Sequence, residues 1–173
     1  MKGTIARCLA EMVSERFGKD KWQAALEKAG LDKNTLFLPT QNVDDDVALK
    51  VVGSVCSVLN ISLVQAADAF GEYWSTVYAP TMYGAFYDAA GSAREFLLKM
   101  DRVHVTMTRT VPDAHPPRFE YEWQDDKTLI MTYKSPRGLI DFVVGLAKGV
   151  GKYYKENLYV SKLGSDRVKI VFP

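Results

Sequence analysis

The residues of this 173-residue sequence best suited to chemistry are His104 and, further on, the segment Tyr133-Lys134-Ser135-Pro136-Arg137. An imidazole offers a metal its lone pair, while hydroxyls and a guanidinium offer donors to carboxylates. In an extended strand, residues 133, 135 and 137 share a face and span roughly 14 Å at about 3.4 Å per residue. That reach suits the two carboxylate tails of a buried metal porphyrin. The planar fork of Arg137 can hold a carboxylate bidentately, and Tyr133 and Ser135 can donate to the remaining oxygens. Each part alone has a plainer account: a satisfied core histidine, and a solvated strand end where Pro136 breaks pairing and Arg137-Gly138 opens a helix.

The elements that must position these groups are legible from periodicity. Ile5, Leu9, Met12, Val13 and Phe17 recur at helical spacing over residues 3–17, and Gly18 closes that helix. Asp20 reads as the N-cap of a helix through Trp22, Ala25, Leu26 and Ala29, followed by a connector containing Pro39. The acids Asp44, Asp45 and Asp46 open a third helix, which Asn60 ends; Ser62 caps a fourth, with Phe70, Trp74 and Tyr78 on its stripe. Pro80 is expected to stop it. Residues 92–109 form a further helix with Phe96, Leu97, Met100, Val103, His104 and Met107 at three- and four-residue steps, which places His104 on its buried face.

Beyond Pro116-Pro117 the period changes to two. Phe119, Tyr121 and Trp123 alternate, as do Leu129, Met131 and Tyr133, with a hairpin turn at residues 124–127. A helix from about Leu139 to Tyr154 separates this pair from a second, Tyr159-Val160 and Val168, Ile170, Phe172, about the turn Gly164-Ser165-Asp166. Helices first, then strands framing one helix, indicate an α+β domain with an antiparallel sheet.

Composition bounds the rest. With 47% hydrophobic and 25% charged residues, the sequence fits one globular domain over 1–173 that can bury a cofactor. A net charge of +1 argues against nucleic acid or an anionic membrane as partner. No stretch has the uncharged length of a membrane span, and the start, which meets Glu11, Glu15 and Arg16 early, is not a secretory signal. Cys8 and Cys56 stand far apart outside any CxxC or CxxCH setting, against disulfides, zinc and covalent haem attachment. A reducing cytoplasmic setting is expected, with both cysteines in core packing.

The spacing of His104 to Tyr133-x-Ser135-x-Arg137, the intervening Pro116-Pro117-Arg118 and the opening Met1-Lys2-Gly3-Thr4-Ile5 together resemble the haem-nitric oxide/oxygen binding (H-NOX) family, over nearly the whole sequence. The resemblance implies a helical N-terminal part, about 1–62, packed on a haem-ligating part, about 63–173, with one helix and a four-stranded antiparallel sheet. It implies non-covalent haem b (iron protoporphyrin IX), with His104 as the iron ligand, the YxSxR motif on the propionates, and Pro117 pressing on the macrocycle. It also implies an acid at Asp45 that pairs with Arg137; an ordinary helix-start acid is the alternative, and Asp44 or Asp46 could serve as well.

By the same resemblance, Ile5 with Leu9, Trp74 with Tyr78, and Phe142 with Leu146 line the opposite haem face, each pair being equally compatible with plain core packing. Family members that form a stable oxygen complex generally carry a tyrosine where this sequence has Phe142. An apolar pocket then favours nitric oxide and carbon monoxide over oxygen, unless Trp74 or Tyr78 donates. The implied signal is loss of the iron to His104 bond, read by a histidine kinase, a diguanylate or guanylate cyclase, or a chemotaxis receptor, from a domain that is itself no enzyme. No kinase, cyclase or coiled-coil pattern occurs among the 173 residues, which are expected to be a stand-alone protein or the sensing part of a longer one. A peroxidase-like haem enzyme is the first alternative, disfavoured because the inferred pocket has no histidine or arginine and His115 sits in the loop before Pro116. A non-haem α+β interaction module with an apolar cavity is the second.

Overall fold

Left-handed residues punctuate the first helices in the computed structural model, which describes residues 1–173. Gly18 (φ 102°) closes α1 (Gly3–Phe17) and lets α2 (Lys19–Lys28) begin at the next residue. Asp20 therefore falls inside the first turn of α2 and does not cap it, although its charge still complements the helix dipole. Asp44 caps α3 (Asp45–Leu59) by accepting the Asp46 N–H, and Asn60 (φ 53°) ends it. Ser62 and Gln65 then cap α4 (Leu63–Tyr73) reciprocally: Ser62 Oγ accepts the Gln65 N–H at 3.2 Å, and Gln65 Oε1 accepts the Ser62 N–H at 2.9 Å.

Pro80 does not stop the chain's fourth helix. The helix widens into a π-helical turn over Trp74–Tyr78, where the Ala79 N–H reaches the Trp74 carbonyl, and α5 (Ala79–Asp88) follows with Pro80 in its first turn. A missing N–H is tolerated at a helix start, and the wider turn before it relieves the ring's clash with the preceding carbonyls. Tyr83 leaves helical geometry (φ −134°, ψ 27°) and kinks α5. Ser92 caps α6 (Ala93–Thr110), which carries His104.

Strands β1 (Arg118–Trp123), β2 (Thr128–Lys134), β3 (Tyr159–Leu163) and β4 (Arg167–Val171) form one antiparallel sheet in the order β1-β2-β4-β3, with α7 (Ile140–Tyr153) between β2 and β3 in sequence. Register pairs Phe119 with Tyr133 and Leu129 with Ile170. Seven α-helices and this sheet make an α+β fold.

The chain divides into two compact units, Met1–Ala66 and Ala67–Pro173, with the boundary inside α4. In the first, Leu9, Met12 and Val13 of α1, Leu26 of α2, and Val51 and Val55 of α3 are buried, and the rings of Trp22 and Phe37 meet edge-on at 6.3 Å. In the second, Phe96 and Leu97 of α6, Leu129 and Met131 of β2, Val143, Ala147 and Val150 of α7, and Val168 and Ile170 of β4 build a single core.

Within the second unit, α4 and α7 cross at backbone distance. A Cβ added to Gly145 would lie 2.1 Å from the Ala67 carbonyl oxygen, and one added to Gly149 would lie 2.2 Å from that of Gly71. Lys148 pairs with Asp68 at 2.8 Å and Lys152 with Glu72 beside this seam. No single helix of the chain is long and apolar enough to cross a membrane.

Candidate metal centre

His104 is presented by the second half of α6, where it is half-buried; the fully buried residues of α6, Ala93, Phe96 and Leu97, all lie earlier. Its Nδ1 lies 2.7 Å from the carbonyl oxygen of Pro117. A carbonyl can only accept, so Nδ1 carries the proton and the neutral ring keeps its lone pair on Nε2. Burial lowers the imidazole pKa and so favours that neutral form, with the bond to Pro117 as the chief opposing influence. This is the tautomer, fixed by a backbone carbonyl on the other ring nitrogen, that a metal-ligating histidine uses.

Pro117 is held in turn by its neighbours. The Asp101 carboxylate accepts from Nε and an amino group of Arg118, both at 2.7 Å, and from the Phe119 N–H at 2.8 Å. That pairing, chiefly the hydrogen bond from Arg118, lowers the Asp101 pKa to about 2. The Phe119 ring lies 5.4 Å from His104 and 6.1 Å from Tyr133, so Tyr133 and His104 flank one phenylalanine.

The YxSxR segment departs from the extended geometry expected of it. β2 ends at Lys134, and Pro136 and Arg137 turn, with Ser135 Oγ accepting the Arg137 N–H at 3.4 Å. Pro136 has no N–H with which to extend the ladder, so residues 133, 135 and 137 do not line one strand face. Tyr133 is buried, yet its hydroxyl makes no hydrogen bond within the protein. Arg137 is half-buried and donates to the His115 carbonyl at 2.8 Å. A histidine with its lone pair on Nε2, a phenol without an internal partner, a hydroxyl and a guanidinium are chemically the set that a haem with two propionates needs.

A second cluster is aromatic. Trp74 and Tyr78 lie on the π-helical turn, whose wider spacing aligns i with i+4, and their rings stack at 5.5 Å. Phe70 stacks on Trp74 at 5.9 Å and meets Phe142 of α7 edge-on at 5.4 Å. The Leu146 carbonyl accepts from Ser75 Oγ at 3.4 Å. Tyr83, brought round by the α5 kink, lies 6.3 Å from Trp74. Phe70 shares the stripe of Trp74 four residues on, a signal the sequence offered; no spacing rule pointed to Tyr83. Ile5, half-buried, and Leu9, buried, lie on α1, and Asp45 Oδ1 accepts from the Met1 ammonium at 2.7 Å, all in the first unit.

Residues 2–162 match the family model described as haem-NO-binding. Among curated proteins, the soluble guanylate cyclase gcy-35 of Caenorhabditis elegans is 25% identical over 167 residues, covering 94% of this chain and 24% of that protein. The gcy-32 cyclase of the same organism is 26% identical over 156 residues, covering 88% of this chain and 23% of its own length. The chain thus spans about a quarter of the length of these relatives. Among solved structures, a variant of the T. tengcongensis H-NOX superposes with a TM-score of 0.85 at 22% identity, covering 99% of this chain and 97% of that one. An oxygen-binding H-NOX domain related to soluble guanylate cyclases gives 0.82 at 23% identity, with 99% and 95% covered. The match across residues 2–162 places this chain in the haem-NO-binding family, as an H-NOX domain.

Proposed function

We propose that this H-NOX domain, a haem-binding gas-sensor module, holds haem b through His104 and reports nitric oxide and carbon monoxide while excluding oxygen. The observation that carries the reading is the 2.7 Å contact between His104 Nδ1 and the Pro117 carbonyl, which leaves Nε2 as the one ring atom able to ligate. When bound, haem supplies an iron that takes this lone pair and a diatomic gas, together with two carboxylate tails. Tyr133, Ser135 and Arg137 are the residues assigned to those carboxylates. The aromatic cluster of Phe70, Trp74, Tyr78 and Phe142 is assigned to the gas side, where the Phe142 ring has no hydroxyl to stabilise bound oxygen. Release of His104 is the proposed signal, since it would free the half-buried part of α6, and a kinase, cyclase or chemotaxis receptor would read it.

One observation favours a second reading, oxygen retention: the Trp74 indole N–H makes no hydrogen bond within the protein. Optical spectra of the ferrous protein under argon, air, carbon monoxide and nitric oxide, with His104→Gly and Trp74→Phe alongside, decide between them. Absence of a Soret band in the wild type would refute haem binding. A stable complex in air that Trp74→Phe abolishes would replace the nitric oxide reading with the oxygen one.

A further inference from the structure

α6 is held in two unlike halves. The first contains its buried residues and is anchored to several elements: Glu156 Oε1 accepts the Ala93 N–H at 3.1 Å, Lys99 Nζ donates to the Ala89 carbonyl at 2.7 Å, and the Arg94 guanidinium lies 4.2 Å over the Trp123 ring. From Asp101 onward no residue of α6 is buried. The hydroxyls of Thr106, Thr108 and Thr110 donate to carbonyls four residues back, a habit that bends and loosens helices. The polar contacts of this half with other elements go to residues 117–119, through Asp101 and His104, and at its first residue to Tyr121.

Tyr121 stands at the junction. Its phenol oxygen accepts the Asp101 N–H at 3.1 Å and donates to the Leu97 carbonyl at 2.9 Å. Those two backbone groups are partners of one i→i+4 rung in an α-helix. A side chain that shares a rung is a recognised cause of helix bending. Burial pushes the phenol pKa up to about 12, so the hydroxyl stays a donor at neutral pH.

We propose that Tyr121 is a positioning residue for His104: by sharing the Leu97–Asp101 rung it makes that turn the hinge of α6, on which Asp101–Thr110 swings while Ala93–Leu97 stays anchored. The lever has this use only if His104 is the haem ligand, as read above.

Hydrogen–deuterium exchange resolved to single amides tests the hinge in the full 173-residue chain, haem-free and haem-loaded, with and without nitric oxide. In the loaded wild type, nitric oxide should speed exchange over Asp101–Thr110 about tenfold and change Leu97–Met100 less than twofold. Tyr121→Phe keeps the ring and removes the phenol's share of the rung, leaving the Asp101 N–H to the Leu97 carbonyl alone. The Asp101 amide of the haem-free variant should then exchange about tenfold more slowly, and the step at Asp101 should vanish from the nitric oxide response. A tyrosine that merely props the helix gives the opposite, an Asp101 amide that exchanges as fast or faster in the variant, and that result overturns the hinge. An even nitric oxide response along wild-type α6, with haem bound, overturns it too and leaves the haem reading standing. A wild type that takes up no haem overturns both.

Discussion

Gly71 and Gly145 touch backbone to backbone: a Cβ on Gly71 would lie 2.0 Å from the Gly145 carbonyl carbon. The atom that the added Cβ meets is main chain, so only movement of a helix can relieve the contact. Gly71→Ala or Gly145→Ala should therefore cost about 1–3 kcal/mol, from forced separation of α4 and α7. Thermal melting should show a loss of roughly 2–12 °C for a domain of this size. Gly84, on α5, has nothing within 4 Å of an added Cβ, and Gly84→Ala should leave the midpoint equal or higher.

Tyr133 separates cofactor retention from folding. Its hydroxyl has no partner within the protein, so Tyr133→Phe should leave the haem-free melting temperature unchanged. Loss of one hydrogen bond to a charged carboxylate, about 1.5–3 kcal/mol, should release haem at least about tenfold faster. Transfer of haem to excess apomyoglobin measures this; an unchanged rate would remove Tyr133 from the propionate site.

Phe142 meets Phe70 edge-on at 5.4 Å, and both belong to the aromatic cluster assigned to the gas side. Phe142→Tyr adds one donor there with little change of volume. The ferrous variant should hold an oxygen complex in air that the wild type lacks, visible in its visible-region bands. An identical spectrum would show that the ring faces elsewhere.

Asp101 makes stability depend on acid. Its carboxyl ionises more readily in the folded chain than in the unfolded one, with Arg118 the main cause and a folded pKa of about 2. The resulting stabilisation is complete above the ordinary carboxylate pKa of about 3.9 and is lost as pH falls towards 2. Urea midpoints of wild type and Asp101→Asn should differ at pH 6 and converge between about pH 4 and pH 2. A constant gap across that window would mean that the ion pair is not the source.

Much of this architecture is written in local residue patterns. Gly18 and Asn60 end helices because the sequence places tolerant residues where the chain must turn left-handed, and the alternation through Phe119, Tyr121 and Trp123 gives β1. The position of His104 on a long helix followed the same way, although that half of α6 is only partly covered. What escaped depends on partners distant in sequence. Pro80 reads as a stop until the preceding turn is known to be π-helical, and Pro136 cuts β2 short at Lys134. Ala67, Gly71 and Ser75 at four-residue steps, with Gly145 and Gly149, held the signal for the tight crossing, but small residues announce closeness without naming what comes close. The hydrogen bonds of Tyr121 into α6 leave no trace in a period-two strand.

The π-helical turn acts as a change of phase. In an unbroken α-helix, positions nine apart, such as Trp74 and Tyr83, point about 180° away from each other at roughly 100° per residue. The wide turn and the kink at Tyr83 cancel that opposition and bring the two rings within 6.3 Å. Removing one residue between Trp74 and Tyr78 would restore regular winding and turn Tyr83 to another side, so the composition of the aromatic cluster depends on chain length in this turn as much as on residue type.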